Sequence, residues 1–337
     1  TGGISVAASN GAVINATVDD NLLDGNFGAA IVAASQDAGS QVSLTARGNT
    51  VTNQQAAWLK NPDPTISDPT FEAAIGIAGL ADNGQLTVDL DGNTLVGGAS
   101  GVFNAGVFLA STNASTLNAT LANNQVRDWN DEGIGFRAFD NSTANLTLNA
   151  GNRVHDNGGH GLIVDAAEVA SRLNSAVTTV NIFADNQFYN NGQSGITVSG
   201  EGNAQTTLLV DGATVHTNYY DGIQIRFDDA ARFTGTIRNS VIRDNGANGV
   251  GGYGIDAETF SSTPMRLTVI GNSISGNPSV AFPFSGGMRL TSSAGILRAD
   301  VADNVFGTQV TGGAANGGRD FLAVTQGPAG SGIELNF

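Results

Sequence analysis

All three histidines, all four tyrosines and eight of the thirteen arginines of this 337-residue chain fall between Arg127 and Tyr253. Within that window Arg127, His155, Tyr189, His216 and Arg243 follow one another at spacings of 28, 34, 27 and 27 residues. A regular line of guanidinium, imidazole and phenol groups can track an extended polymer, with rings against sugar faces and arginines against carboxylate or sulfate. Arg137 and Tyr253 belong to a second such line and are candidate contacts for the same polymer. A catalytic reading draws on other groups of the window: His160, framed as Gly159-His160-Gly161, with Glu132, Asp221 and Arg226. Glycoside cleavage needs two carboxyl groups about 5–9.5 Å apart. Glu132 with Asp165, or Asp221 with Asp256, meets that need if coils of the chain stack at strand spacing.

The elements that position these residues are written as a repeat. Asparagine stands before an x-apolar step at Asn21, Asn49, Asn93, Asn124, Asn152, Asn186, Asn272 and Asn304, with Ala213 and Ser240 in the same slot. Five residues on, a second column runs Asn26, Gln54, Gly98, Trp129, Asn157, Asn191, Asn218, Asn245, Asn277 and Gln309. A third, of glycine or alanine before an apolar residue, runs from Gly3 to Gly332 and includes Gly133, Gly161, Gly195, Gly222 and Gly254. Period-2 alternation follows each of these glycines, as in Leu162/Val164 and Ile223/Ile225, which is the mark of a strand with one buried face. Three short strands per repeat of roughly 30 residues predict a solenoid of about ten coils. Stacked amides in such a solenoid hydrogen-bond along the axis and satisfy groups that are otherwise costly to bury.

This pattern resembles the right-handed parallel β-helix of pectate lyase-like proteins, over nearly the whole chain. The resemblance implies an all-β fold, and the motifs of the enzymes that share it can be sought. Polygalacturonases carry N-T-D, D-D, G-H-G and R-I-K in that order. Here only G-H-G stands in place, and the D-D at Asp228 and Asp229 follows it. The D-P-H-E of alginate epimerases is missing, and the sole lysine, Lys60, is remote from the polar window. The sequence therefore points first to an exported bacterial scaffold that contacts a glycan or a neighbouring subunit. A polysaccharide lyase, hydrolase or epimerase with its cleft on the same face is the alternative.

Composition narrows the setting. Thirty acidic against fourteen basic residues give a net charge of -16, which disfavours nucleic acid and anionic membranes as partners. There is no cysteine, so neither disulfides nor thiolate metal sites are available, and no apolar run reaches membrane-spanning length. Low lysine with abundant asparagine, threonine and glycine fits an extracellular or cell-surface protein. The chain reads as one domain over 1–337, a segment of something longer. It carries an insertion loop at 54–72 and a glycine-rich loop at 312–330. The outward positions of the early coils, among them Ala29, Ala73 and Phe108, form an apolar face expected to be covered by a loop or another chain. That face and the uncapped ends are the expected sites of self-association. Calcium is the one cofactor suggested. Asp128, Asn130 and Glu132 take the first, third and fifth positions of an EF-hand-like loop, although Phe139 stands where that loop needs a glutamate.

Overall fold

The computed structural model describes residues 3–60, 70–98, 103–166, 175–246, 252–277, 286–307, 315–316, 319–327 and 331–337. Each repeat forms three strands that turn through one coil. In the coil holding Gly159-His160-Gly161 these are Thr143–Leu148, Arg153–His155 and Leu162–Ala166. Stacking yields three parallel sheets: a glycine sheet of twelve strands, a short sheet of ten and a third sheet of eleven. Strand order along each stack follows the order in the chain, apart from Ala57–Lys60, which pairs antiparallel with Thr70–Asp82 inside the 54–72 insertion. Register is kept from coil to coil: Val126, Val154, Phe188, Val215, Ile242 and Ile274 form one inward column. These residues join a hydrophobic core that runs along the stack from Ala8 to Val301.

The two amide columns become ladders. Asn124 donates from its backbone N–H and from its Nδ2 to Asn152 Oδ1, at 3.0 Å each, while the same Nδ2 reaches Leu90 O at 2.8 Å. With its own Oδ1 accepting from Asn93, every polar side-chain atom of the buried Asn124 rung is thereby used. The first ladder runs from Asn21 to Asn186, is interrupted at Ala213 and Ser240, and resumes through Asn272 to Asn304. The second is continuous from Asn157 to Asn277. Its last rung is Asn316, whose Oδ1 accepts from Asn277. Gln309, expected at that rung, lies outside the described residues.

The glycine column is explained by close approach. A Cβ on Gly161 would stand 2.6 Å from Gly195 O and 2.8 Å from Asn191 Nδ2. The residue before a ladder asparagine turns through the left-handed region, as at Asp185, Asp156, Asn190 and Asp244. Asp, Asn and Gly tolerate that conformation. Thr217 does not, yet it holds φ 58° there.

Two expectations are corrected and a third is narrowed. The 312–330 segment is not all loop, because Arg319–Thr325 forms a glycine-sheet strand that continues the inward column through Phe321 and Ala323. That strand takes the glycine-sheet rung, so Gly332–Asn336 pairs instead with Ile296–Ala302 in the third sheet. The apolar early face is already covered within the chain: Ala29, Ala73, Ile75, Ala105, Phe108, Ala110 and Phe139 form their own buried cluster, with Phe103 packed against it.

Candidate functional site

The short sheet places Arg127, His155, Tyr189, His216 and Arg243 in register on its outer side, as their spacing predicts. Their orientation differs from the expectation. Tyr189 lies between two imidazoles, with ring centroids 4.5 Å from His155 and 5.0 Å from His216 and interplanar angles of 5° and 1°. Both faces of Tyr189 are therefore occupied, and the ridge presents ring edges rather than a platform for a sugar. Each of these basic side chains also stands beside an acceptor of its own. Arg127 pairs with Asp128, Arg243 with Asp244 at 2.6 Å, and His155 Nδ1 meets Asp156 at 2.6 Å. His216 Nδ1 meets the hydroxyl of the strained Thr217 at 2.9 Å. Burial, reinforced by the Arg243 charge, lowers the His216 pKa. The ridge is an alternation of donors and acceptors with little free charge.

Between His216 and the glycine sheet lies a turn that carries Tyr219 and Tyr220, edge to face at 4.9 Å and 71°. Tyr220 is 41% exposed, and no partner stacks on its other side among the described residues. Beyond the turn the glycine sheet holds a polar cluster that the register assembles from three coils. Gln224, Asp256 and Arg289 occupy one outward column, and Arg226, Glu258 and Thr291 the next. Arg289 grips Asp256 with two hydrogen bonds, Nε to Oδ1 at 2.7 Å and Nη2 to Oδ2. Its guanidinium lies 4.7 Å from the centroid of the Tyr253 ring.

Asp221 accepts the Tyr253 backbone N–H at 2.7 Å and the Gln224 amide at 3.3 Å. Burial, then the negative charge of Asp256, pushes its pKa up to about 8, so it carries a proton at neutral pH. Glu258, half-buried, is raised for the same two reasons. Burial also raises the Tyr253 phenol, while Arg289 pulls the other way. The guanidinium lies over the ring, and among the described residues the buried Tyr253 Oη has no partner within ordinary hydrogen-bond geometry.

The remaining sequence candidates disperse. His160 is half-buried, meets the Thr197 hydroxyl at 2.9 Å and is lowered to about 4 by burial, so it is neutral at pH 7. Glu132 is buried, raised in pKa by that burial, and paired with Arg137 at 3.4 Å, while Arg137 stacks over Phe108. Arg226 lies over Phe260 at 4.7 Å. Tyr253, expected as a surface contact, is only 5% exposed because Arg289 covers it. Of the suggested calcium ligands, Asp128 turns to Arg127 and Glu132 to Arg137. Among the described residues no three His, Asp or Glu side chains gather as metal ligands. Sequence reasoning passed over Tyr220, Glu258 and Arg289 as site residues. Carrying the outward column one coil past Asp256 finds Arg289, between the inward pair Met288 and Leu290.

Residues 105–306, more than half of the chain, match the family described as right handed beta helix region, and the chain belongs to that family. Among solved structures it is similar to the A-module of the Azotobacter vinelandii mannuronan C-5 epimerase AlgE4, at 14% identity and TM-score 0.43, over 100% of this chain and 89% of that one. It is also similar to the Siphovirus 9NA tailspike receptor binding domain, at 15% identity and TM-score 0.37, over 98% of this chain and 72% of that one. The GH136 lacto-N-biosidase of Eubacterium ramulus aligns at 12% identity and TM-score 0.35, over 91% of this chain and 62% of that one. At these scores the likenesses carry nothing about activity. No curated protein matches the chain. No helix among the described residues is long and apolar enough to cross a membrane.

Proposed function

We propose that the chain is an exported β-helical surface module that contacts a neutral glycan across the edge between its short sheet and its glycine sheet. The observation that carries this reading is the exposed Tyr220 ring in the turn joining the His155–Tyr189–His216 ridge to the Asp221 cluster. An exposed tyrosine supplies an apolar face for a sugar ring. The ridge beside it supplies alternating donors and acceptors at rung spacing, suited to hydroxyl groups. Paired charges on the ridge and the overall charge of -16 favour an uncharged polymer over the carboxylate- or sulfate-bearing one suggested by the arginines alone.

Affinity electrophoresis against xylan, mannan, β-glucan and galactan, with polygalacturonate and a sulfated galactan as charged controls, tests the reading. The expected result is retardation by a neutral polymer, weakened about tenfold by Tyr220→Ala, a loss equivalent to roughly 1.4 kcal/mol. Tyr189→Ala is expected to act less, because both faces of that ring are spent inside the protein. Retention by the charged polymers alone would overturn the neutral-glycan reading.

A further inference from the structure

We propose that His216 and Thr217 form a proton switch on the glycan-contacting ridge: with the imidazole neutral the ridge holds an uncharged polymer, and a proton on the ring weakens that contact. The inference rests on the glycan reading above and adds its regulation.

The ridge follows a rule with one exception. Each of its other basic residues is followed by an aspartate that pairs with it, in Arg127–Asp128, His155–Asp156 and Arg243–Asp244. His216 is followed by Thr217. Every other non-glycine residue with positive φ among the described residues is Asn or Asp. A β-branched residue is strained in that conformation, and aspartate would sit there at lower cost. The strained choice has an electrostatic result. A carboxylate at 217 would favour the imidazolium, as an opposite charge within hydrogen-bond reach does. The Thr217 hydroxyl, 2.9 Å from Nδ1, serves the neutral ring as donor or acceptor and brings no charge.

The surroundings act in the same direction. Register sets Arg243 one coil beyond His216, and Asp244 already pairs with that guanidinium. Tyr189, one coil before, covers a face of the imidazole; an imidazolium there gains cation–π attraction, but the opposite face of Tyr189 is shared with His155. The charges of Asp156, Arg153 and Arg127 are felt at the Tyr189 phenol beyond. Burial, then the Arg243 charge, outweighs the Tyr189 attraction and the opposing pull of Asp244, so the ring takes its proton only below the ordinary histidine value of 6.5.

His216 and Thr217 are half-buried, and Tyr220, three residues on in the same turn, is exposed, so a polymer lying on the Tyr220 ring passes beside the pair. Protonation there has a definite sign. Both ring nitrogens become donors, and the ridge loses an acceptor. A charge then stands where an uncharged sugar would displace its water, and taking a charge out of water costs far more than taking out a neutral polar group.

The test follows retention on whichever of xylan, mannan, β-glucan or galactan slows the chain at neutral pH, scanned from about pH 7.5 down to about pH 4.5. NMR titration of the three imidazoles runs alongside, and the signal missing in His216→Gln assigns that ring. Retention is expected to weaken about tenfold in acid, with the midpoint at which His216 titrates. His216→Gln should remove the pH dependence, whatever its retention at neutral pH. Thr217→Asp installs the residue type that neighbouring coils carry at the same place, and should move both midpoints up by about one pH unit or more. Retention that stays constant while His216 titrates overturns the inference and leaves the glycan reading standing. A pH dependence that survives His216→Gln, or midpoints that stay in place in Thr217→Asp, overturn it as well. Failure of retention on every neutral polymer at neutral pH overturns the glycan reading, and this inference with it.

Discussion

The outward side of the glycine sheet is built twice from one backbone pattern. In the early coils the outward positions are Ala29, Ala73, Ala105, Phe108 and Ala110, and they seal into an apolar cluster under Phe103 and Phe139. In the late coils the matching positions are Asp221, Gln224, Arg226, Tyr253, Asp256, Glu258 and Arg289. The strands, the register and the glycine contacts are alike in both halves, so the fold asks for nothing polar here. A buried ion pair seldom improves on an apolar replacement, and a buried carboxyl that must keep its proton is a further cost. The early half shows that an apolar cover suffices for stability. What separates the late half is chemistry that stability does not explain.

The largest expected effect breaks the early half. Phe108→Ala opens a cavity beneath Phe103 and also removes the ring over which Arg137 lies. A loss of about 3–5 kcal/mol is expected in urea unfolding, with glycan retention by the folded protein unchanged. If retention falls in proportion to stability, the two halves are not separate in role.

The second effect sharpens the contrast through pH. The folded pKa of Asp221, about 8, lies above the ordinary aspartate value of 3.8. Between those values the folded chain binds a proton that the unfolded chain has released, so stability falls as pH rises and levels off once pH passes the folded value. The slope is at most about 1.4 kcal/mol per pH unit. Asp221→Asn, which mimics the protonated carboxyl, should flatten the slope and leave the protein more stable at pH 7 than the wild type. Urea midpoints at pH 5 and pH 7 for both proteins check this. Equal slopes would mean that Asp221 is ionised in the folded state.

The ridge was legible in the sequence because each of its residues stands one place past an inward residue of the repeat, as Tyr189 follows Phe188. Periodicity fixes that placement, but it does not fix ring orientation. The His155–Tyr189–His216 stack, which uses up the tyrosine faces, follows from side-chain torsions that the repeat leaves free. The exposure of outward residues was illegible for a related reason. Tyr253 points away from the coil axis as the alternation requires, yet is buried with Arg289, 33 residues after Asp256, lying over its ring. The last coils were misplaced where the repeat loosens: Asn316 takes a rung assigned by spacing to Gln309, and Gly332 joins the third sheet. Asparagine at fixed intervals revealed the ladders directly, since buried amides have few other partners to find.

The smallest effect bears on Thr217. Its counterparts one and two coils away are Asp156, Asn190 and Asp244, residue types that enter the left-handed region at low cost. A β-branched residue there carries strain of order 1 kcal/mol. Thr217 is placed beside His216 on the ridge, and its hydroxyl fixes the imidazole through Nδ1. If the strain is retained for ligand contact, Thr217→Asn should raise stability by about 1 kcal/mol and weaken glycan retention, since the ring loses its hydroxyl partner. Asn190→Thr is the reciprocal change, placing the same strain one coil earlier beside Tyr189, and should lower stability by about as much with no gain in retention. A Thr217→Asn protein that is more stable and binds equally well would make the threonine incidental, and the contrast would then rest on the Asp221 cluster alone.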